Sequence, residues 1–146
     1  MERVTFPTSL KTLTLCDCRL PWSEMSIIKL FPNLELLKLT SDAFVGSRWN
    51  TDEQEFPQLK FLSLHWLNIK VWDANNRSFR CLRKLEISSC FYIEEIPLEI
   101  GDIPTLKLIS IDGCRPSVGE SVRRIQEEQY DLGNYDLKIY IQEEWQ

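Results

Sequence analysis

The chain has 146 residues and a formal net charge of −5, with 43% hydrophobic and 27% charged residues. This length predicts one domain, and the composition is that of a folded globular protein rather than a disordered one. The negative charge argues against nonspecific binding to nucleic acid or to membrane surfaces, and no apolar run approaches the roughly 18 residues that predict a membrane-spanning helix.

One leucine pattern recurs five times along the chain, with 23 to 25 residues between successive copies. Aligned on the first leucine, the copies are Leu10-x-x-Leu13-x-Leu15, Leu34-x-x-Leu37-x-Leu39, Leu59-x-x-Leu62-x-Leu64, Leu82-x-x-Leu85-x-Ile87 and Leu106-x-x-Ile109-x-Ile111. This period and this core are typical of leucine-rich repeats, whose stacked units bury a common apolar column. The predicted fold class is α/β: a leucine-rich-repeat solenoid forming a horseshoe arc, with a parallel concave sheet, an irregular or short-helical convex side and a C-terminal helix–strand cap.

The first predicted elements are a strand and a short helix. Apolar and polar residues alternate near residues 12–16, which predicts a strand. Residues 21–30 are predicted to form a short helix on the outer side, because Pro21 opens the segment and Pro32 follows its end. Residues 1–9 are too few to cover the apolar face of the first repeat, so we expect the chain to be the C-terminal piece of a longer array.

The rest of the convex side is predicted to be less regular. Residues 43–55 are polar and lack helical periodicity, which predicts a loop. Residues 70–79 are similar, except that Val71 and Trp72 are expected to pack against the back of the repeat. Residues 93–104 are expected to form the outer side of the fourth repeat.

The eighth position after the first leucine of each copy is also regular. In such repeats it is usually Asn or Cys, whose side chain bonds backbone groups where the chain leaves the strand. The residues at this ladder position are Cys18, Asp42, Leu67, Cys90 and Cys114. The next inward residues are predicted two positions further on, at Leu20, Phe44, Ile69 and Tyr92. Cysteines in one column, with no C-x-x-C pair, favour reduced thiols of a cytoplasmic protein over zinc ligands.

Beyond Gly113 the leucine pattern stops, and the sequence predicts a helix followed by a strand. Ser117 and Glu120 have the spacing of a capping box, and Gly133 predicts the end of the helix. The apolar helical face consists of Val118, Val122, Ile125 and Gln129. A final strand is predicted from the alternation of Tyr135, Leu137, Ile139 and Ile141. We therefore divide the chain into repeats (1–116) and a C-terminal cap (117–146), although the helix could instead dock a partner.

Strand residues that do not face the core are expected to line up in columns on the concave surface. One column holds four cations in five positions, namely Lys11, Glu35, Lys60, Arg83 and Lys107. Apolar side chains beside it would anchor a protein partner, and the cations would steer an acidic one. The predicted partner-binding residues are Lys11, Leu36, Lys38, Lys60, Phe61, His65, Trp66, Arg83, Lys84, Lys107 and Leu108. In the alternative interpretation the long cationic side chains only cover apolar neighbours.

The sequence predicts no catalytic chemistry. His65 is the only histidine, and no nucleophile or carboxylate can be assigned to a fixed position beside it from the sequence. The G-x-x-x-x-G-K-[ST], G-x-S-x-G and H-E-x-x-H patterns do not occur. We expect no enzyme activity, cofactor or metal site in this chain.

Several segments resemble the C-terminal repeats of plant intracellular immune receptors. They are LPWSEMSII (20–28), FPNLELLKL (31–39), IPLEIGDIPTL (96–106), SVRRIQEEQYDLGN (121–134) and LKIYI (137–141). The resemblance is to coiled-coil, nucleotide-binding, leucine-rich-repeat receptors of nightshades, of the late blight resistance type. It implies a cytoplasmic receptor terminus that senses pathogen effectors, directly or through a guarded host protein, and that contributes to autoinhibition. It also implies that ADP or ATP is bound by an upstream domain outside this chain.

Two other classes of repeat protein remain as alternatives. F-box-type ubiquitin ligases carry cytosolic substrate-recognition repeats with cysteine at the ladder position, and a generic cytosolic scaffold would have the same pattern. Extracellular plant receptors typically have Asn at the ladder position and a Gly-x-Ile-Pro signature, so cysteine at three of the five ladder positions argues against that class.

Overall fold

The computed structural model describes residues 9–51 and 56–142. The described chain is an α/β structure built on one sheet of six parallel strands, in the order β1-β3-β6-β8-β9-β10. These strands are β1 (Thr12–Cys16), β3 (Leu36–Thr40), β6 (Phe61–His65), β8 (Lys84–Ser88), β9 (Leu108–Asp112) and β10 (Lys138–Gln142). The short strands are β2 (Leu20–Pro21), β4 (Phe44–Val45), β5 (Arg48–Asn50) and β7 (Val71–Asp73). The helices are two 3₁₀ helices, Trp22–Leu30 and Leu98–Asp102, and the α-helix α1 (Pro116–Asp131).

Each leucine copy forms one strand of the main sheet, and the strand predicted near residues 12–16 is confirmed as β1. Successive side chains of a strand point to opposite faces. Leu37 and Leu39 are therefore fully buried, whereas Lys38 between them is half-exposed. Burying a leucine side chain contributes about 1.5–3 kcal/mol, so the repeated pattern makes one face of the sheet the core.

The chain leaves the strands through residues with a left-handed backbone. The residue directly after each of the first five main strands has a φ of +50° to +69°; these residues are Asp17, Ser41, Trp66, Ser89 and Gly113. The N–H of Ser41 donates to the carbonyl of His65, and the N–H of Trp66 donates to that of Ser88. The left-handed residue thus extends the sheet by one hydrogen bond and turns the chain toward the covered side.

Stacked aromatic rings fill the space behind the sheet. The rings of Trp22 and Trp49 lie 4.8 Å apart, and those of Trp49 and Trp72 lie 5.5 Å apart, with interplanar angles of 16° and 7°. Phe79 packs edge-on against Trp49 at 6.3 Å. Aromatic rings bury large apolar areas, so this stack compensates for the scarcity of helices on that side.

The predicted helix after β2 is confirmed as the 3₁₀ helix Trp22–Leu30. Its buried residues are Trp22, Met25 and Ile28, and this spacing of three matches the three residues per turn of a 3₁₀ helix. The helix therefore presents one narrow apolar edge to the core.

The prediction of a loop over 43–55 is wrong where the structure describes it. The segment contains β4, which pairs with β2, and β5, which pairs with β7. Phe44 and Trp49 are both buried, and their burial holds these short strands against the core. Residues 52–55 lie outside the described residues.

The segment 70–79 fits the prediction in part, because it contains β7 where a loop was predicted. Trp72 is buried as expected, but Val71 beside it is exposed, because the two residues point to opposite sides of β7. In the fourth repeat the inward residue is Ile93 and not Tyr92, which is 56% exposed. One extra residue separates the ladder position from the inward position in this repeat, so the prediction for Tyr92 is wrong.

The predicted apolar face of α1 is confirmed, because Val118, Val122, Ile125 and Gln129 are all buried. The capping box is wrong: α1 begins at Pro116, and its N-cap is Arg115 without a side-chain cap. Proline already has the φ that the first helical position needs, and it has no N–H that would require a partner.

The predicted end of α1 at Gly133 is confirmed. Gly133 has a φ of +90°, its N–H donates to the carbonyl of Tyr130, and the N–H of Asn134 donates to that of Gln129. These two bonds form a Schellman motif. The predicted final strand follows as β10, which pairs in parallel with β9.

Candidate protein-binding face

The parallel register aligns the half-exposed and exposed side chains of the six strands. We call the sheet face that carries them the open face. Its three columns are Thr12, Leu36, Phe61, Lys84, Leu108, Lys138; Thr14, Lys38, Ser63, Glu86, Ser110, Tyr140; and Cys16, Thr40, His65, Ser88, Asp112, Gln142. The first five members of each column are those expected from the sequence. The structure adds β10, which contributes Lys138, Tyr140 and Gln142.

An apolar hollow lies in the middle of the open face. Phe61 is 39% exposed between Leu36 and Lys84, which are half-buried. The hollow of about 200 Å³ is lined by Leu36, Lys38, Phe61, Leu62, Ser63, Lys84 and Glu86. An aromatic ring at the centre, with polar groups around it, is the arrangement found at the anchor positions of protein interfaces.

The column of cations is partly neutralised by acidic neighbours. Glu35 lies between two lysines, 3.8 Å from Lys11 and 3.0 Å from Lys60. The hydrogen bond from Lys60, together with the charges of Lys60 and Lys11, holds the pKa of Glu35 below its ordinary value. Lys107 lies 3.9 Å from Asp136. These salt bridges therefore relieve the repulsion between the stacked cations.

Two cations of the predicted partner-binding set, Lys38 and Arg83, form no salt bridge among the described residues. Arg83 is exposed on the strand-entry side of β8, and Lys38 is half-exposed beside the apolar hollow. Lys38 thus leaves positive charge available at the hollow, and Arg83 leaves it one residue before Lys84, which lines the hollow.

Glu86 is the most highly connected polar residue of the open face. His65 Nε2 lies 2.9 Å from its carboxylate, and Lys84 Nζ lies 3.5 Å from it. Burial raises the pKa of Glu86, but the hydrogen bonds and charges of His65 and Lys84 together outweigh burial, so the pKa lies below its ordinary value. The carboxylate therefore accepts bonds from both neighbours and fixes their positions at the edge of the hollow.

The contacts of His65 do not match a nucleophilic triad. Ser63 Oγ lies 2.7 Å from His65 Nε2, and Glu86 Oε1 lies 2.9 Å from the same nitrogen. A triad needs the nucleophile and the orienting carboxylate on opposite ring nitrogens, so that the imidazole can take up the proton of the hydroxyl. With both partners on one nitrogen, the geometry favours a polar positioning network.

Trp66 differs from the other predicted partner-binding residues, because it follows the end of its strand, whereas the others lie within a strand or directly before one. It is the left-handed residue directly after β6, its side chain is 56% exposed, and its ring packs edge-on against Phe91 at 5.5 Å. The structure thus places Trp66 at the rim where strands end and not on the open face.

The cysteines of the ladder position differ in their surroundings. The buried Cys90 donates from its Sγ to the carbonyls of Leu64 (3.7 Å) and Ser88 (3.5 Å). Cys114, also buried, donates to the carbonyls of Ile87 and Asp112, each at 3.8 Å. Cys18 is exposed and donates only to Cys16 within its own turn, at 3.6 Å. Asp42 is half-buried with a left-handed backbone.

No group of three or more His, Cys, Asp or Glu side chains that could hold a metal ion occurs in residues 9–51 and 56–142. Over the same residues, the structure has no helix with the length and hydrophobicity needed to span a bilayer.

No family model matches the chain, but individual plant proteins do. Late blight resistance protein R1-A of Solanum demissum is 34% identical over 136 residues, covering 91% of this chain and 10% of R1-A. The late blight resistance homologue R1B-16 of the same species is 38% identical over 111 residues, covering 75% of this chain and 9% of that protein. This chain is homologous to a segment of the late blight resistance proteins. Disease resistance RPP8-like protein 3 of Arabidopsis thaliana is 29% identical over 126 residues, or 82% of the chain.

The resemblance of the sequence to the late blight resistance type is thereby confirmed. The chain spans 9% and 10% of the length of the two Solanum proteins. Because the match to R1-A covers 91% of this chain, it includes most of the strands that build the open face.

Some features of the candidate site could not be read from the sequence. The pairing of β10 with β9 depends on how the chain returns after α1. In the sequence, only the alternating pattern of β10 indicated that it is a strand. The pairing of Glu35 with two lysines follows from strand register, which places it between Lys11 and Lys60. The assignment of the predicted partner-binding residues to a partner stays a prediction.

Proposed function

We propose that this chain is a leucine-rich-repeat solenoid that serves as the protein-interaction module of a cytoplasmic plant disease-resistance receptor. Repeats 1–116 present the open face as the concave surface, and the segment 117–146 caps their end. The module senses a pathogen effector or a guarded host protein and contributes to holding the receptor inactive. Catalysis and nucleotide binding are left to other parts of the receptor.

The observation that carries this proposal is an all-parallel sheet with one uncovered face. Parallel sheets are ordinarily covered on both faces, so that their strands are apolar on both sides. Here the strands alternate between buried leucines or isoleucines and half-exposed or exposed residues. A repeat array uses such a surface for binding, and the relatives supply the biological setting, since their names identify them as disease resistance proteins.

The open face favours a partner with an apolar side chain and nearby acidic groups. Phe61 offers an aromatic anchor, and truncating such an anchor typically costs more than 1 kcal/mol of binding energy. Arg83 and Lys38, which form no salt bridge among the described residues, would pair with carboxylates of the partner and speed its association.

A chimaera of R1-A tests the proposal. The matching 136-residue region of R1-A is replaced by this chain, with Phe61 either retained or changed to alanine, and leaf cell death is scored after challenge with the late blight pathogen. We expect the chimaera with the unchanged chain to respond and Phe61→Ala to reduce the response about tenfold.

The matched control is Leu98→Ala. Leu98 is 44% exposed, close to the 39% of Phe61, but it lies in the 3₁₀ helix that connects β8 and β9. It should leave the response unchanged. Equal responses of the Phe61→Ala and unchanged chimaeras, at equal protein levels, would remove the open face as the binding surface, and an inactive unchanged chimaera would contradict the assigned role.

A further inference from the structure

The exposed tryptophan at the strand-exit rim has no role in the core. Its left-handed backbone is unusual, since a bulky side chain seldom has a positive φ, and such a conformation is strained. The other residues at this position are Asp17, Ser41, Ser89 and Gly113, which are small or polar. Because Trp66 is also 56% exposed, neither burial nor turn geometry explains an indole there.

An open groove of about 600 Å³ runs along this rim, and we call it the exit groove. Its lining includes Trp66, Phe91, Tyr92, Asn68, Asp17 and Asp42. The aromatic side chains form one end of the groove. There the ring of Phe91 packs edge-on against that of Trp66 at 5.5 Å, and Tyr92 is 56% exposed. The groove is therefore a preformed aromatic surface, and Cys16 is the one lining residue that it shares with the columns of the open face.

The charges in the exit groove are all negative. Its charged lining residues are Asp17 and Asp42, and no Lys or Arg is among its lining residues. Asp42 forms no salt bridge within the described part of the chain, whereas Asp17 binds Arg19 at 3.1 Å. That pair is mostly exposed, so it contributes little to stability and another cation can displace Arg19.

We propose that the exit groove binds an arginine-bearing segment of a partner protein. A guanidinium can stack on the indole of Trp66 and donate hydrogen bonds to the carboxylate of Asp42. The chain carries a net charge of −5, so a basic partner is attracted, whereas a second copy of the chain is repelled. The two surfaces thus have different proposed partners: an arginine-bearing segment for the exit groove, and acidic groups with an apolar side chain for the open face.

The test uses the whole chain and a fluorescein-labelled peptide, GSRGRSG, whose binding is followed by fluorescence anisotropy. Trp66→Asn and Asp42→Asn are each expected to weaken binding about fivefold or more, as the loss of a stacking or ionic partner requires. Added salt should weaken binding as well. Asparagine accepts a left-handed backbone readily, so Trp66→Asn should raise the melting temperature while it lowers affinity.

The controls separate the exit groove from other surfaces. Tyr130→Asn alters an exposed aromatic residue of α1, and Phe61→Ala alters the open face; neither should change the dissociation constant. Phe61→Ala therefore tests partner binding by the open face without affecting peptide binding by the exit groove.

Three results would overturn the proposal: no binding of GSRGRSG, equal binding by Trp66→Asn, or equal binding of the uncharged peptide GSQGQSG. Self-association of the chain that Trp66→Asn abolishes, without peptide binding, would assign the groove to a second copy and also overturn it.

Discussion

At the residue scale, the reactivity of each cysteine thiol depends on where the cysteine lies in the structure. Cys18 and Cys90 occupy the same position of their repeats, but Cys18 is exposed and Cys90 is fully buried. Burial raises the pKa of Cys90 to about 12 from an ordinary 9.0, and it also raises the pKa of Cys114. The thiolate is the reactive form of cysteine, so the two buried thiols are held in their unreactive form.

Alkylation under native conditions tests this difference. At about neutral pH, Cys16 and Cys18 should react with iodoacetamide quickly, while Cys90 and Cys114 should react only after the chain is unfolded in denaturant. Because the folded pKa of Cys90 is raised, increasing the pH to about 9 should accelerate the exposed thiols but not Cys90. Peptide mass spectrometry identifies the labelled sites, and native labelling of Cys90 at the rate of Cys18 would refute its burial.

At the element scale, the close approach of α1 to the second 3₁₀ helix depends on a glycine. A Cβ added to Gly101 would lie 2.6 Å from Cγ2 of Ile125, well inside van der Waals contact. Gln129 strengthens the same junction, since its Nε2 donates to Asp102 at 3.1 Å and its Oε1 accepts from Asn134 at 3.1 Å. The position of α1 therefore depends on the absence of a side chain at Gly101 and on the hydrogen bonds of the buried Gln129 amide.

Gly101→Ala should lower the free energy of unfolding by about 1–3 kcal/mol, because α1 must move away from an overpacked junction. This is the reverse of the gain of about 0.4–1 kcal/mol that Gly→Ala gives at an unstrained site. Urea unfolding of the purified chain measures the effect.

A double-mutant cycle provides the control. Ile125→Ala removes the clashing methyl group, so adding Gly101→Ala to it should cost much less than in the unchanged chain. Glu99→Ala, at an exposed position of the same 3₁₀ helix, should change stability by no more than about 0.5 kcal/mol. A Gly101→Ala variant as stable as the parent would show that the packing at this junction is looser than described.

At the scale of the whole molecule, the features that depend on the regular spacing of apolar residues were predictable from the sequence. The bounds of β1, the parallel order of the strands and the buried face of α1 follow from apolar spacing, because burial favours the same pattern in every copy. Departures from the period were not predictable. The inward position moves to Ile93 because one extra residue follows Cys90, and β5 with β7 forms because Trp49 and Trp72 stack across two repeats.

The candidate site was predictable to a similar extent. Alternation identified the side chains of the open face, since it depends only on strand geometry. Their charge balance could not be derived, because it depends on distances such as that between Glu35 and Lys60. Trp66 lies at the rim because its backbone is left-handed. Bulky residues seldom have this conformation, so the sequence did not indicate it.

Every surface assignment depends on one claim: each leucine copy forms one strand, and the strands lie side by side in parallel and in chain order. Nuclear Overhauser contacts between backbone protons of the isotopically labelled chain test it directly. Leu62 is predicted to show contacts to the strands of both Leu37 and Leu85, its register partners on either side. Contacts from Leu62 to only one of these strands, or contacts in antiparallel order, would contradict the account.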